Sequence, residues 1–110
     1  MEITTRSEKN TVVVTVNGRL DALTSPEFEK SLSEFVTKGE SSILLDLREL
    51  DYISSAGLRS ILATAKKLKA KNGELCIAGL QGSVRDVFQM SGFYSIFRVF
   101  ESAEEALKRE

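Results

Sequence analysis

Apolar residues follow strand-like and helix-like spacings in turn along the chain, and the first of these patterns predicts a hairpin. Thr11–Val16 (TVVVTV) is β-branched almost throughout, which is typical of a strand. Ile3–Arg6 is a candidate partner strand, and Glu8–Asn10 supplies the polar residues of a turn between the two. We therefore expect an antiparallel hairpin at the start of the domain.

A first helix is predicted shortly after this hairpin. Thr24–Glu27 offers a hydroxyl cap, a proline in the first turn and an acid near the positive end of the helix. Leu23 precedes the cap and is expected to pack on Phe28 as a hydrophobic staple. Lys38–Gly39 supplies a cationic last turn and a glycine stop. Four apolar residues recur at helical spacing between these ends: Phe28, Leu32, Phe35 and Val36.

The middle of the chain predicts a buried strand and then a second helix. Ile43–Leu47 is nearly continuously apolar, as expected of a central strand covered on both faces. From Leu58 onward the apolar residues keep a helical period, and lysines load the C-terminal end before Asn72–Gly73. The apolar positions are Leu58, Ile61, Leu62, Ala65 and Leu68, and the lysines are Lys66, Lys67, Lys69 and Lys71.

The last third of the chain continues the alternation. Glu74–Ala78 predicts a strand, and Ser83 is expected to cap a helix that stops at Gly92. Phe97–Phe100 predicts a last strand, and Ser102–Glu105 has the pattern of a capping box for a short terminal helix. Strands that alternate with helices predict an α/β fold, with a mixed sheet of about four to five strands and about four helices in one domain over residues 1–110.

Composition and charge narrow the range of partners. The 110 residues are 42% hydrophobic and 28% charged, as in an ordinary soluble globular domain. With a net charge of −1 the chain has no strong positive field, so neither nucleic acid nor an anionic membrane is expected as a partner. The sequence also lacks a secretion signal and an apolar run of membrane-spanning length, which predicts a cytoplasmic protein.

The residue types present also limit the chemistry. The sequence has no histidine, which removes the usual general base and a common metal ligand. Its one cysteine, Cys76, lies in an apolar run and cannot form an internal disulfide or a thiolate zinc site. We therefore expect no metal, no cofactor and no catalytic residues.

Candidate chemistry is concentrated in Ser54–Gly57, which we call the serine elbow. In α/β sheets the loops between a strand end and the next helix carry functional groups, because the unpaired amides of the helix point outward there. Serine is also a preferred helix cap, and such a cap alone would explain one of the two serines without any further function. A phosphoryl group on serine would be tolerated at this point because its charge lies beside the positive helix end. Gly57 is expected to leave one side of the elbow open to another protein.

Two alternative uses of these residues have less support in the sequence. A catalytic serine would need a base, and both histidine and the Gly-x-Ser-x-Gly pattern are absent. The stretch Gly79–Ser83 has two glycines near a helix start but lacks the lysine-serine pair of a P-loop, which favours a simple turn.

The order of elements and the serine elbow together resemble the STAS family, the domain shared by sulphate transporters and anti-sigma-factor antagonists. The resemblance covers nearly the whole chain. It rests on three stretches: Gly18–Asp21; Leu45–Leu47 with Tyr52–Leu58; and Val87–Phe93.

This resemblance implies a stand-alone bacterial antagonist rather than an enzyme. In such proteins an anti-sigma factor that is also a serine kinase phosphorylates the serine two residues before the glycine, which is Ser55 here. The unphosphorylated antagonist binds the anti-sigma factor and releases a sigma factor, phosphorylation ends the binding, and a phosphatase restores it. Ser54 stands where the best-known members have an aspartate and is the alternative acceptor.

The resemblance also implies a partner-binding surface formed by Asp21, Ser54, Ser55, Ala56 and Gly57. Asp21 matches a family acid near the target serine, although a surface turn or helix cap would equally explain it. Asp46 is interpreted as structural, and Met90 and Phe93 are expected to pack in the core.

Two other functions remain open from the residues alone. A small-molecule or nucleotide sensor in a signalling assembly is the first, because helix starts that converge at one sheet edge suit anions. An enzyme built on Asp21, Asp46 and Ser55 is the second, but no convincing base or metal set accompanies them.

Overall fold

The computed structural model describes residues 1–108. The chain opens with the predicted hairpin. Strands β1 (Glu2–Glu8) and β2 (Thr11–Leu20) pair antiparallel. The two residues between them, Lys9 and Asn10, have φ angles of 54° and 63°. A two-residue turn with both φ angles positive matches the twist of the strands that it joins.

Helices and further strands alternate after the hairpin. The strands are β3 (Ser42–Asp46), β4 (Leu50–Ile53), β5 (Glu74–Ala78) and β6 (Arg98–Phe100). The helices are α1 (Ser25–Thr37), α2 (Ser55–Ala70), α3 (Gly82–Met90) and α4 (Ala103–Lys108), with a single 3₁₀ turn at Phe93–Ser95. The predicted α/β class is confirmed.

The described residues form one mixed sheet in the order β1-β2-β3-β5-β6. Every neighbouring pair after the first hairpin is parallel. Strand β4 pairs in parallel with the far end of β2, through Gly18–Leu20. The sheet thus has six strands rather than the predicted four to five.

The two faces of the sheet are covered differently. Val12, Val14 and Val16 point to the face on which α1, α2 and α3 pack, where the main core lies. Val13 and Leu44 point to the opposite face, which only α4 covers within the described part of the chain. Because Ala103 and Ala106 are small, α4 lies close to the sheet and buries Cys76 beneath it, and Cys76 forms no disulfide within the described residues.

Two predicted helix starts are wrong in detail. Leu23 does not staple onto Phe28, because Leu23 is 90% exposed and Phe28 is fully buried. Ser83 does not cap α3, which begins one residue earlier with Gln81 at the cap position and no side-chain cap hydrogen bond. The Ser102 cap of the last helix is confirmed, since the amide of Glu105 donates to the Ser102 hydroxyl at 3.2 Å.

Candidate functional site

The serine elbow lies beside the end of β2 at one edge of the sheet. Leu20 and Ile53 are register partners at the ends of the parallel strands β2 and β4. The amide of Ser54 donates to the carbonyl of Leu20 at 3.0 Å. The residues that follow each strand, Asp21 and Ser54, therefore leave the sheet side by side, as the resemblance implied.

The two serines of the elbow have different environments. Ser54 is the cap residue of α2, and its hydroxyl oxygen accepts from the amide of Gly57 at 3.4 Å. Ser55 is the first residue of the helix and is exposed. Its hydroxyl makes no hydrogen bond with any of residues 1–108. The structural role that the sequence offered to either serine belongs to Ser54, which leaves Ser55 available for chemistry.

Gly57 allows α2 to pack closely against the strands β2 and β4. A Cβ atom at this position would lie 2.8 Å from the Ile53 Cγ1 atom and 2.8 Å from the Leu20 carbonyl oxygen. Real Cβ contacts are longer, so a side chain would push α2 away from both strands. The expectation that Gly57 leaves the outer side open is therefore wrong: the residue is buried, and its missing side chain lets the elbow seat against the strands.

Asp21 closes the turn between β2 and α1. Its Oδ1 atom accepts from the amides of Leu23 at 3.0 Å and Thr24 at 3.2 Å. The Thr24 hydroxyl accepts from the amide of Asp21 and donates to the Arg19 carbonyl, each at 2.9 Å. Thr24 is thus the cap residue of α1 by position, but its hydroxyl faces back into this turn. The surface-turn interpretation of Asp21 describes its contacts, and its partner role stays a prediction.

The carboxyl group of Asp21 is held in its charged form. Desolvation acts to raise the pKa of Asp21, but amide hydrogen bonds from Thr24 and Leu23 act to lower it. The Thr24 hydroxyl and the Arg19 guanidinium act in the same direction, and the resulting pKa lies below the ordinary aspartate value.

This lowered pKa predicts how an Asp21→Asn variant behaves. A group whose pKa is lower in the folded than in the unfolded state stabilises the fold above its unfolded pKa of about 3.9. That contribution disappears as the pH falls through the folded pKa. Asp21→Asn is therefore expected to have a lower Tm than wild type at pH 7, with the difference closing below about pH 4.

Thermal unfolding of both proteins between pH 7 and pH 2.5 measures this dependence. Asp51→Asn is the matched control, because the Asp51 carboxylate is exposed and receives no amide hydrogen bond within the described residues. A Tm difference for Asp21→Asn that stays constant across this range would contradict the assignment.

One contact at the site was not predicted from the sequence. The guanidinium carbon of Arg19 lies 4.2 Å from the centre of the Tyr52 ring, and its Nε atom lies 3.7 Å from Asp21 Oδ2. The stack connects β2 with β4, and the ion pair connects Arg19 with the turn after β2. The sequence held no signal for it because β4 itself was missed.

Exposed apolar side chains are the second feature that the sequence did not predict. Leu23 is 90% exposed in the turn that Asp21 closes, and Met90 is 85% exposed at the end of α3. The prediction that Met90 packs in the core is wrong, whereas Phe93 is buried as predicted and contacts Phe88 edge to face. Leu23 was expected to act as a staple and Met90 to pack near a helix end, and local sequence says little about residues at helix ends.

A groove lies between the N-terminal halves of α1 and α2, next to the serine elbow. Its volume is about 540 Å³. Several of its lining residues are small, and the Ser60 hydroxyl of α2 donates to Glu29 Oε1 of α1 at 2.9 Å. The residues that line it are Ala22, Ser25, Pro26, Glu29, Lys30, Ser33, Ala56, Arg59 and Ser60.

Asp46 is structural, as interpreted from the sequence. It is 3% exposed, its Oδ1 accepts from the amide of Arg48 at 3.2 Å, and its Oδ2 lies 3.8 Å from the Arg48 guanidinium. Asp46 lines a different pocket from Ala56, the neighbour of Ser55.

Residues 1–108 contain no group of three or more histidine, cysteine or acidic side chains that would hold a metal ion. No helix in that part of the chain is long and apolar enough to span a bilayer.

Comparison with known proteins gives a consistent result. The family model for the STAS domain matches residues 2–106. BtrV of Bordetella bronchiseptica is 42% identical over 106 residues, which cover 96% of this chain and 91% of BtrV. The anti-sigma-B factor antagonist of Staphylococcus aureus is 30% identical, over 94% of this chain and 96% of that protein.

A similar fold occurs in a solved structure. The Bacillus cell fate determinant SpoIIAA in its phosphorylated form superposes with a TM-score of 0.78. The alignment covers 98% of each chain at 24% identity. At this identity the likeness concerns the fold, which the two proteins share.

Proposed function

The chain belongs to the STAS domain family, and on this basis we propose that it acts as an anti-sigma-factor antagonist whose binding is switched by phosphorylation of Ser55. The Staphylococcus aureus relative, named an anti-sigma-B factor antagonist, supports the proposal through its likeness over nearly the whole chain. In this proposal the protein is a binding module and a kinase substrate, and it catalyses nothing itself.

The environment of Ser55 is the observation that carries the proposal. Its side chain is exposed and unbonded within the described residues, while neighbouring Ser54 is occupied as a helix cap. A kinase can therefore reach the Ser55 hydroxyl without breaking a contact. A phosphate there carries roughly −1.5 to −2 charges and lies at the positive end of α2, so the fold tolerates it.

Partner switching follows from this local chemistry. The unphosphorylated elbow offers a small hydroxyl and a methyl group, from Ser55 and Ala56, to an anti-sigma factor. Docking of that protein frees its sigma factor. The phosphate makes the same surface bulky and anionic, and the anti-sigma factor then dissociates. A phosphatase restores the first state, and the whole cycle takes place in the cytoplasm.

Phosphate transfer to single-serine variants tests the proposed acceptor. With the purified anti-sigma-factor kinase of the same organism and ATP, wild type is expected to gain 80 Da of phosphate, read by intact-protein mass spectrometry. Ser55→Ala is expected to gain none, and Ser54→Ala is expected to be labelled at Ser55, as peptide mapping would show. Label retained by Ser55→Ala and lost by Ser54→Ala would move the acceptor to Ser54.

A further inference from the structure

Leu23 has no role inside the fold. Its side chain is 90% exposed, so it contributes little to the core, and its expected partner Phe28 is buried without it. Isolated exposed apolar residues are common on proteins. Leu23 differs from most of them because hydrogen bonds hold its backbone. Its amide donates to Asp21 Oδ1, and the hydroxyl of the next residue, Thr24, accepts from the Asp21 amide and donates to the Arg19 carbonyl.

The position of Leu23 connects it with the serine elbow. It lies in the turn between Ala22 and Ser25, two residues that line the groove between α1 and α2. Ala56 of the serine elbow lines the same groove. Leu23 and Ser55 are thus each adjacent in the chain to a residue that lines this groove, Ala22 and Ala56.

The groove also carries two cations without partners. Lys30 and Arg59 line it, and neither forms an ion pair or side-chain hydrogen bond within residues 1–108. The one acid of the groove, Glu29, accepts from the Ser60 hydroxyl. The groove thus has an excess of one positive charge, which complements a carboxylate on a partner.

We propose that Leu23 and Arg59 are the two anchors of the surface that binds the anti-sigma factor. Leu23 enters an apolar pocket of that protein, and Arg59 pairs with a carboxylate at the rim of the pocket. A few anchor residues carry most of the energy of an interface, and because the backbone of Leu23 is already held by hydrogen bonds, little backbone entropy is lost when it binds. This inference rests on the function proposed above and names the contacts that deliver it.

Arg59 also connects this surface with phosphorylation. It follows Ser55 by four residues on α2, and side chains at that spacing are neighbours on a helix, with about 5–6 Å between Cβ atoms. A phosphate on Ser55 is therefore within reach of the Arg59 guanidinium and withdraws it from the partner. Phosphorylation removes an attractive contact as well as adding a repulsive one.

Binding of matched variants to the anti-sigma-factor kinase, measured by calorimetry without ATP, tests the proposal. Leu23→Ala is expected to weaken binding at least tenfold, as loss of a central apolar anchor does. Met90→Ala, which truncates an equally exposed side chain on α3, is expected to bind within twofold of wild type. Equal melting temperatures of the three proteins would show that the fold is intact.

Salt dependence separates the role of Arg59 from that of Leu23. Arg59→Gln is expected to weaken binding about threefold to tenfold at 50 mM salt and less than twofold at 0.5 M salt, because salt screens exposed charges. Lys66→Gln, an exposed cation further along α2 and outside the groove, is the control. The Leu23→Ala effect is expected to persist at both salt concentrations.

Each possible result has one meaning. If wild type binds and Leu23→Ala binds equally well, the docking surface proposed here is wrong and the antagonist function stands. If Leu23→Ala weakens binding but Arg59→Gln does not, Arg59 is removed from the surface. If wild type itself does not bind, the antagonist function fails, and this inference fails with it.

Discussion

Protein that carries phosphoserine at position 55 is expected to bind the anti-sigma factor at least about 100-fold more weakly than unmodified protein. The unmodified interface buries only a small hydroxyl at this position, whereas the phosphate would bring a dianion into it. A like charge or an unpaired buried charge at an interface costs several kcal/mol. Loss of Arg59 to the phosphate adds to this penalty. Incorporation of phosphoserine by codon expansion, followed by calorimetry, measures the change without any kinase.

The fold is expected to survive this modification. A negative charge in the first turn of a helix stabilises it by about 0.3–1 kcal/mol, so the melting temperature should stay level or rise slightly. Phosphoserine at Ser41 is the matched control, because Ser41 is exposed and precedes β3, at the opposite edge of the sheet. Phosphoserine at Ser41 adds the same charge and is expected to leave the affinity for the anti-sigma factor within about twofold of that of unmodified protein. Undiminished binding of the Ser55-phosphorylated protein would refute switching at this residue.

Much of the fold could be predicted because its elements are locally encoded. The β-branched run predicted the strand β2, and the apolar periods predicted the helices α1 and α2. All three elements are present in the structure. Strand β4 was missed because its four residues alternate neither in burial nor in polarity: Asp51 and Tyr52 are both exposed between buried neighbours. Pairing with Gly18–Leu20 of β2 defines that strand, and such a contact leaves no local pattern.

The site was predictable in its location but not in its contacts. The order of strands and helices, with the family resemblance, indicated that Asp21 and the serine elbow meet at one sheet edge. Which serine is the cap depends on where α2 begins, and the sequence left that role to either serine because the apolar period starts only at Leu58. The exposure of Leu23 and the inward packing of Gly57 depend on three-dimensional neighbours. The order of elements and the resemblance therefore located the region, and the surface of the region depends on contacts that the sequence does not state.

Gly57→Val is expected to destabilise the protein by about 3 kcal/mol and to lower its melting temperature by more than about 10 °C. A Cβ here lies 2.8 Å from both the Leu20 oxygen and Ile53 Cγ1, and neither backbone nor a buried isoleucine yields easily. The helix propensity gained by replacing glycine is below about 1 kcal/mol and does not compensate. Denaturant unfolding followed by circular dichroism measures the loss.

The matched control adds the same class of side chain to α2 without a collision. Ala70 is exposed at the C-terminal end of the helix, and Ala70→Val is expected to change stability by about 0.5 kcal/mol or less. If Gly57→Val unfolded at the same denaturant concentration as this control, the close approach of α2 to β2 and β4 would be disproved. The comparison bears on function because this approach fixes Ser55. Strands β2 and β4 hold the start of α2 through Gly57, and the start of α2 sets where the Ser55 hydroxyl points.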